Sequence, residues 1–368
     1  MKKVLELIGG KVAYGGIEAF VQSVIQNLDK SRYDIDFMTI FDCNNLDFEE
    51  SLKKYGISFY AMNLPANGKI FRNDIYKSVR KFLMEKDYDV IHIHSGGVVN
   101  LATLAAAADY SDKVKVIAHS HVSGENFSLP YRIIRRLGAF SMAKHVDCYC
   151  ACSKEAADWK FIPQKGKPIL IIRNGIDTEK FHFDWRMREK MRCKFGLDED
   201  SFVVGNVGRM VASKNQQFVC SVFLNLLRDM PNARLLFVGD GEERKEIERF
   251  VHDAGVDDKV IFAGGVGNVS DYLQAMDVFI FPSLFEGFGI AALEAQAVGL
   301  PVIGADTLPS EVKATENMCF LPLEAGEKTW AQQIKKFSAL TRKDETESIV
   351  RNGYDIKYTA EQLCRIYG

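Results

Sequence analysis

The stretch "DVFIFPSLFEGFGIAALEAQAVGLPVIGAD", residues 277 to 306, decides how the chain folds. "DVFIFPS" is a short run of β-branched and aromatic residues, the composition of a buried strand. "LFEGFGI" is the turn after it, and "AALEAQAVG" reads as a helix ended by Gly299 with Pro301 beyond. "LPVIGAD" is a second strand, so the stretch is a strand, helix, strand crossover. Gly287 and Gly289 let the backbone approach a ligand closely. The free N–H groups of residues 289 to 291 make a positive helix end suited to phosphate. Glu286 sits in the turn and Glu294 within the first two turns of the helix. A carboxylate with two acceptor oxygens matches vicinal hydroxyls, so the pair fits a phosphorylated, hydroxyl-rich ligand such as a nucleotide sugar. The same spacing also suits an ordinary turn followed by a solvated helix glutamate.

The pattern extends in both directions. "KKVLELIG", "YDIDFMTIF", "ISFYAMN", "DVIHIHS", "KVIAHSH" and "VDCYCACS" are strand-like runs separated by helical segments such as "GIEAFVQSVIQNLDK" and "DIYKSVRKFLMEK". A second series follows: "FVVGNVGR", "ARLLFVGDG", "KVIFAGG", and then the two strands of the crossover above. This alternation predicts an α/β chain of two Rossmann-like, doubly wound domains, with the seam near "IIRNGIDTEKF", residues 171 to 181. Ligands of such sheets bind outside the carboxyl ends of the strands, and two facing units make a cleft.

Composition agrees. The chain has 368 residues, 47% hydrophobic and 26% charged, which suits two domains better than one core. No apolar run approaches the ~18 residues of a membrane span. The N-terminal "MKKVLELIGG" is too short in its apolar part for a signal peptide, so a cytoplasmic protein is expected. Eight cysteines without a paired framework imply reduced thiols. Cys148, Cys150 and Cys152 alternate and so share one face of a strand. Residues 1 to 178 carry 24 Lys+Arg against 20 Asp+Glu, and residues 179 to 368 carry 23 against 29. That asymmetry argues against generic nucleic-acid binding and allows the first half to rest on an anionic surface.

Further chemistry gathers at predicted strand ends. Arg209 and Lys214 follow "FVVGNVG", where two cations can hold a diphosphate, Arg by its fork and Lys as a point charge. Four of the seven histidines form two H-x-H pairs, His92/His94 and His119/His121, each at a first-domain strand end. Either pair could chelate a metal, but no carboxylate cluster is near either in sequence, so a polar lining or buried histidines are the expectation. Asp34-Ile-Asp36 starts a strand and Asp198-Glu-Asp200 precedes one. Neither D-x-D lies at a strand end, so no metal is expected. No intact G-x-G-x-x-G with its distal acid is present, and a redox cofactor is not expected.

Five motifs in order carry a resemblance: "RNGIDTEKF", Gly-Arg-x4-Lys at 208 to 214, "FVGDGEER", "FAGGVGNVSDYLQAMDVFIFPS" and the E-x7-E element of Glu286 and Glu294. Together they resemble the retaining, nucleotide-sugar-dependent glycosyltransferases of GT-B fold in the large family-four group. "GGKVAYGGIEAFV", "DVIHIHSG", "IAHSHVS" and "YDIKYTAEQLCRIY" resemble the branch that builds capsular and exopolysaccharide repeat units.

The resemblance implies an N-terminal acceptor-side domain over 1–175, a nucleotide-sugar domain over 176–350, and a C-terminal helix, 351–368, crossing back. It makes Arg209 and Lys214 the diphosphate clamp and Glu294 the ribose ligand, and it lays Glu286 against the donor sugar. The backbone of Gly287, Phe288, Gly289 and Ile290 would meet sugar and phosphate. Val266, Gly267 and Asn268, in the loop 264 to 270, would receive the base. Gly15 and Gly16 would approach the phosphates. His121 would contact the donor sugar, with His119 second choice and His94 a further possible contact. The implied reaction moves a hexose, UDP-linked by preference, to a glycan or polyprenyl-linked sugar with retained configuration and no metal. A nucleotide-sugar hydrolase or epimerase on the same fold is the alternative.

"YRIIRRLGAFSMAKHV", residues 131 to 146, mixes Arg132, Arg135, Arg136 and Lys144 with Ile133, Ile134, Leu137 and Phe140. That pattern permits peripheral docking on an anionic inner leaflet, and it equally suits a helix packed on a sheet.

Overall fold

Parallel pairing organises both halves of the chain. The computed structural model describes residues 1–12, 15–43, 45–66, 72–122 and 129–368; Ala13 and Tyr14 of the glycine-rich opening and Ser123 of "IAHSHVS" lie outside the described residues. Two compact units result, Met1–Gly175 with Ile356–Gly368, and Ile176–Asp355.

The first unit contains strands β1 (Lys2–Ile8), β2 (Tyr33–Thr39), β3 (Ser58–Ala61), β4 (Val90–His94), β5 (Lys115–Ser120), β6 (Cys148–Ala151) and β7 (Ile169–Ile171). They form one sheet in the order β3-β2-β1-β4-β5-β6-β7, parallel throughout. The second unit contains β8 (Phe202–Val207), β9 (Ala233–Val238), β10 (Val260–Phe262), β11 (Val278–Phe281), β12 (Val302–Ala305) and β13 (Met318–Leu321), ordered β10-β9-β8-β11-β12-β13 and again all parallel. The α/β reading of two doubly wound units holds. Two strands go beyond it: β7 and β13, each of which closes one edge of its sheet.

In each sheet the order reverses beside the first strand, between β1 and β4 and between β8 and β11. Loops leaving those neighbours diverge to opposite faces and leave room for a ligand at the carboxyl edge.

The helix Gly16–Asn27 buries Phe20, Val21, Val24 and Ile25, a one-sided stripe, against Val4, Ile35 and Phe37 of the first sheet. The last helix, Ile356–Tyr367, joins the same core through Ala360, Leu363, Ile366 and Tyr367. Each buried Val, Leu, Ile or Phe among them contributes about 1.5–3 kcal/mol of transfer free energy. Tyr33 also donates its hydroxyl to the Cys364 carbonyl at 3.1 Å, which ties the end of the chain to the second strand. Cys150 and Cys152 are buried and Cys148 half-buried, as their alternation predicts, and none of the eight cysteines is in a disulfide.

In the second unit, Val219, Phe223 and Leu226 of the helix Gln216–Leu226 pack with Trp330 and Ile334 of the helix Gly326–Phe337. The stretch that opened the reading is pinned at its start. Asp277 accepts from the Val203 amide at 2.7 Å and pairs with Arg188 at 2.5 Å, while Arg188 and Arg342 both donate to the Gln274 and Met276 carbonyls. Its helix ends where expected. Gly299 has φ 76°, and a Cβ there would lie 1.7 Å from the Lys343 carbonyl oxygen, so no other residue fits that stop.

Candidate active site

The carboxyl edge of the second sheet holds the first group of side chains. After β11, Pro282 and Ser283 lead into the turn, Gly289 takes φ 91° as N-cap, and the helix Ile290–Ala297 begins. Phe288 turns inward and packs on Tyr354, ring centroids 5.6 Å apart, so it offers a ligand only its backbone. The unbonded amides of the first turn face the edge with their positive end outward.

The loop after β8 meets this turn. Leu284 donates its amide to the Ser213 carbonyl at 2.8 Å, and Asn215, in a left-handed conformation (φ 56°), donates to Pro282. The Lys214 ammonium pairs with the Glu286 carboxylate and lies 5.0 Å from the centre of the Phe281 ring. Arg209, at the start of the same loop, is exposed. Two cations and a helix amino end are thus set on adjacent strands, an arrangement that stabilises a multiply charged oxyanion.

The loops after β9 and β10 pack backbone to backbone with that of β8. Gly239 adopts φ 133°, and a Cβ there would stand 2.1 Å from the Gly208 carbonyl oxygen. Its amide donates to Gly264 at 2.8 Å. Val266 is half-buried while Gly267 and Asn268 are exposed, and the Asn268 side chain accepts from the Ser270 hydroxyl at 2.8 Å.

Glu294 departs from the solvated reading. Only 7% of it is exposed, and burial pushes its carboxyl up to about 8, opposed by the Lys180 charge. A protonated Glu294 can donate as well as accept, which suits a pair of ligand hydroxyls.

The carboxyl edge of the first sheet holds the second group. Gly15 and Gly16, exposed, stand at the amino end of the helix Gly16–Asn27. All four histidines of the H-x-H pairs are buried, and Phe20 packs its ring 4.9 Å from that of His121. Strand register sets Glu6 beside His92 and His94 beside His119. Register thus brings to the pairs a carboxylate that their local sequence does not show. Glu6, 1% exposed, accepts from Tyr367 Oη at 2.6 Å and from His94 Nε2 at 2.8 Å. His94 Nδ1 lies 2.8 Å from His121 Nε2; His92 Nδ1 lies 2.7 Å from Tyr367 Oη, and His92 Nε2 3.1 Å from His119 Nδ1. Neither ring nitrogen of His94 is left for a ligand. His119 Nε2 and His121 Nδ1 are buried with no partner.

Burial raises the Glu6 carboxyl, but the hydrogen bonds and charges of His92 and His94 outweigh it and hold the group well below the usual carboxylate range. Burial lowers His94 to about 4 and moves His119 and His121 well below their ordinary value. Ring nitrogens of His92, His94 and His119 come within 4.8 Å of one another, close enough for a metal ion, while both ring nitrogens of His92 and of His94 are already in hydrogen bonds. Glu6 and Tyr367 carried no sequence signal, because only strand register and the path of the last helix bring them there.

The D-x-D candidates stay away from these edges. Asp36 lies within β2 and accepts from the Tyr88 hydroxyl at 2.7 Å, and Asp198 and Asp200 precede β8.

The comparisons bear on both units. Residues 14–180 match the model described as Glycosyltransferase Family 4, and residues 187–354 match Glycosyl transferases group 1. The chain is 27% identical over 379 residues to the putative glycosyltransferase EpsF of Bacillus subtilis, covering 100% of this chain and 96% of that protein. It is 25% identical over 332 residues to the capsular polysaccharide biosynthesis glycosyltransferase CapH of Staphylococcus aureus, covering 87% and 86%. Among solved structures, Anabaena Alr3699/HepE in complex with UDP and glucose superposes with a TM-score of 0.77 at 19% identity, over 100% of this chain and 99% of that one.

Replacing Glu294 by Gln tests the buried acid. Its folded pKa lies above the unfolded value of about 4.5, so its contribution to stability is fully present below pH ~4.5 and is lost as pH rises through about 8. The melting temperature of Glu294→Gln should therefore gain on the wild type between pH 5 and pH 9. A constant difference across that window would mean that Glu294 ionises normally.

Two family models that together span residues 14–180 and 187–354, the relatives above and a structural neighbour with a TM-score of 0.77 lead to one assignment: the chain belongs to the family-four glycosyltransferases of GT-B fold, of the capsule and exopolysaccharide type.

Proposed function

We propose that this enzyme transfers a hexose from a UDP-sugar to a hydroxyl of a lipid-linked glycan during surface-polysaccharide synthesis, with retention of the anomeric configuration. The observation that carries the reading is the convergence of Arg209, Lys214, Glu286 and the amino end of the helix Ile290–Ala297 at the ends of adjacent strands β8 and β11. Such a set neutralises a departing diphosphate without a metal. Arg209 and Lys214 take the phosphates, Glu294 the ribose hydroxyls, and the backbone around 266–268 the base. Glu286, already held by Lys214, orients the sugar and bears on the positive charge that develops at its anomeric carbon. The donor assignment is supported by the neighbour with UDP and glucose bound, and the polysaccharide context by the capsular relative.

The acceptor reading draws on the first unit. Its helix Leu129–His145 buries Gly138, Ala139 and Met142 and exposes Leu129, Ile133, Leu137 and Phe140, with Arg132, Arg136 and Lys144 exposed beside them. Arg135, grouped with the surface cations in the sequence reading, instead donates to the Phe161 carbonyl. Beside this helix is a cavity of about 330 Å³ lined by Tyr76, Val99, Ala102, Ile134 and Leu137. An apolar ridge flanked by cations, next to an apolar groove, fits a polyprenyl chain at an anionic surface. Among the described residues no helix is long and apolar enough to cross a membrane.

An acceptor-dependent transfer assay tests the reading. Glu286→Ala should lower turnover about 100-fold or more while nucleoside-diphosphate affinity stays near normal, and Arg209→Ala should weaken donor and free diphosphate alike by about tenfold or more. Donor consumption at full rate without acceptor would instead identify a hydrolase. Unchanged affinity in Arg209→Ala would reject the clamp. Vesicles containing anionic lipid should retain the protein at low salt, and no retention would remove the surface-docking part.

A further inference from the structure

We infer that Glu6, acting through His94, fixes the tautomer of His121 so that His121 presents an unprotonated Nδ1, a hydrogen-bond acceptor, to a hydroxyl of the bound sugar. This rests on the reading of His121 as a donor-sugar contact, and it makes Glu6 a positioning residue.

The argument is an inventory of protons along the contacts. The ionised Glu6 carboxylate has no proton to give, so at 2.8 Å its Oε2 must receive one from His94 Nε2. A neutral imidazole carries a single N–H, so His94 Nδ1 is then a bare acceptor. Its neighbour at 2.8 Å, His121 Nε2, must supply the proton of that bond. A neutral His121 protonated on Nε2 leaves Nδ1 without one, and Nδ1 is the atom that is buried with no partner in the protein. An unmet acceptor is costly when buried, so the site is complete only when a donor arrives.

The groups around the relay leave the order of protons unchanged. Tyr367 Oη donates to Glu6 Oε1 at 2.6 Å, and His92 Nδ1 lies 3.2 Å from Glu6 Oε2, so further donors face the carboxylate and none removes its need for the His94 proton. Lys160, 0% exposed, is a buried cation near His121 and donates to the Gly96 carbonyl. Burial lowers Lys160 to about 8, and burial likewise keeps His121 neutral. The consequence is selectivity: His121 accepts from a sugar hydroxyl and rejects a group that can only accept, such as a fluorine in its place.

Glu6→Gln reverses the relay by chemistry alone. The Tyr367 hydroxyl proton still needs an acceptor, so the carboxamide turns its oxygen to Tyr367 and its NH2 to His94 Nε2. His94 then carries its proton on Nδ1, donates to His121 Nε2, and leaves His121 protonated on Nδ1. Nitrogen-15 spectra of histidine-labelled protein read these states directly. Wild type should show His94 and His121 as Nε2–H tautomers; Glu6→Gln should show both as Nδ1–H, and Tyr367→Phe should leave His121 as in the wild type.

Binding provides the second readout, with UDP-glucose, UDP-galactose and GDP-mannose set against UDP and GDP alone. Glu6→Gln should lose about tenfold in affinity for the sugar nucleotide that the wild type binds, and nothing for the bare nucleotide. An Nδ1–H or doubly protonated His121 in the wild type, the same tautomer in wild type and Glu6→Gln, or a stoichiometric metal on these imidazoles would overturn the relay while leaving the donor reading intact. Reversed tautomers with equal losses for sugar nucleotide and nucleotide would overturn the sugar contact. Failure of the wild type to bind any of the three sugar nucleotides, with the tautomers as stated, would sink the donor reading and His121's ligand with it, while the relay itself would stand.

Discussion

Parallel strand pairing is the constraint on which the rest of the structure depends. When every strand of a sheet runs the same way, each crossover helix must begin at the carboxyl edge, so strand ends, loop glycines and helix amino ends collect on one side. In the first unit that edge receives Gly15, Gly16 and the histidines; in the second it receives Arg209, Lys214, Glu286 and the helix that starts at Ile290. The sheet order reverses beside β1 and beside β8, and these are the strands whose loops and neighbours carry the candidate chemistry. Chemistry need only change the loops, because the topology has already decided where they meet.

Two buried carboxylates show how environment divides one functional group into two roles. Glu6 and Glu294 are both more than nine-tenths buried. Around Glu6, Tyr367 and the histidines supply proton donors, so the carboxylate stays ionised and orders the protons of its neighbours. Around Glu294, burial dominates and only the Lys180 charge opposes it, so the acid form persists to about pH 8. The first arrangement uses a fixed charge to orient imidazoles. The second keeps a carboxyl group neutral.

Legibility in the sequence followed the range of the interactions. The strand, turn and helix of 277–306 were readable because Gly287, Gly289, Gly299 and Pro301 act within a few residues of their effects. Apolar strands such as β1, β8 and β11 were readable for the same reason, while the edge strands β7 and β13 were not. The histidine pairs could be placed at strand ends, but their partner could not. Glu6 lies 88 residues from His94 and 361 from Tyr367, and neither meeting exists until register and the last helix are set. Burial was the other blind spot. Glu294 has the spacing of a solvated residue, and Arg135 sits among exposed cations in sequence, yet both turn inward.

The account stands on the second unit gripping a nucleoside diphosphate through Arg209, Lys214 and a helix end with no metal between them. Titration calorimetry of chelator-treated protein with UDP, GDP and ADP, repeated with Mg, addresses that directly. The account predicts clear binding of one diphosphate, UDP by preference, with affinity that Mg leaves unchanged. Binding that appears only with Mg would contradict it, as would silence from all three nucleotides under both conditions.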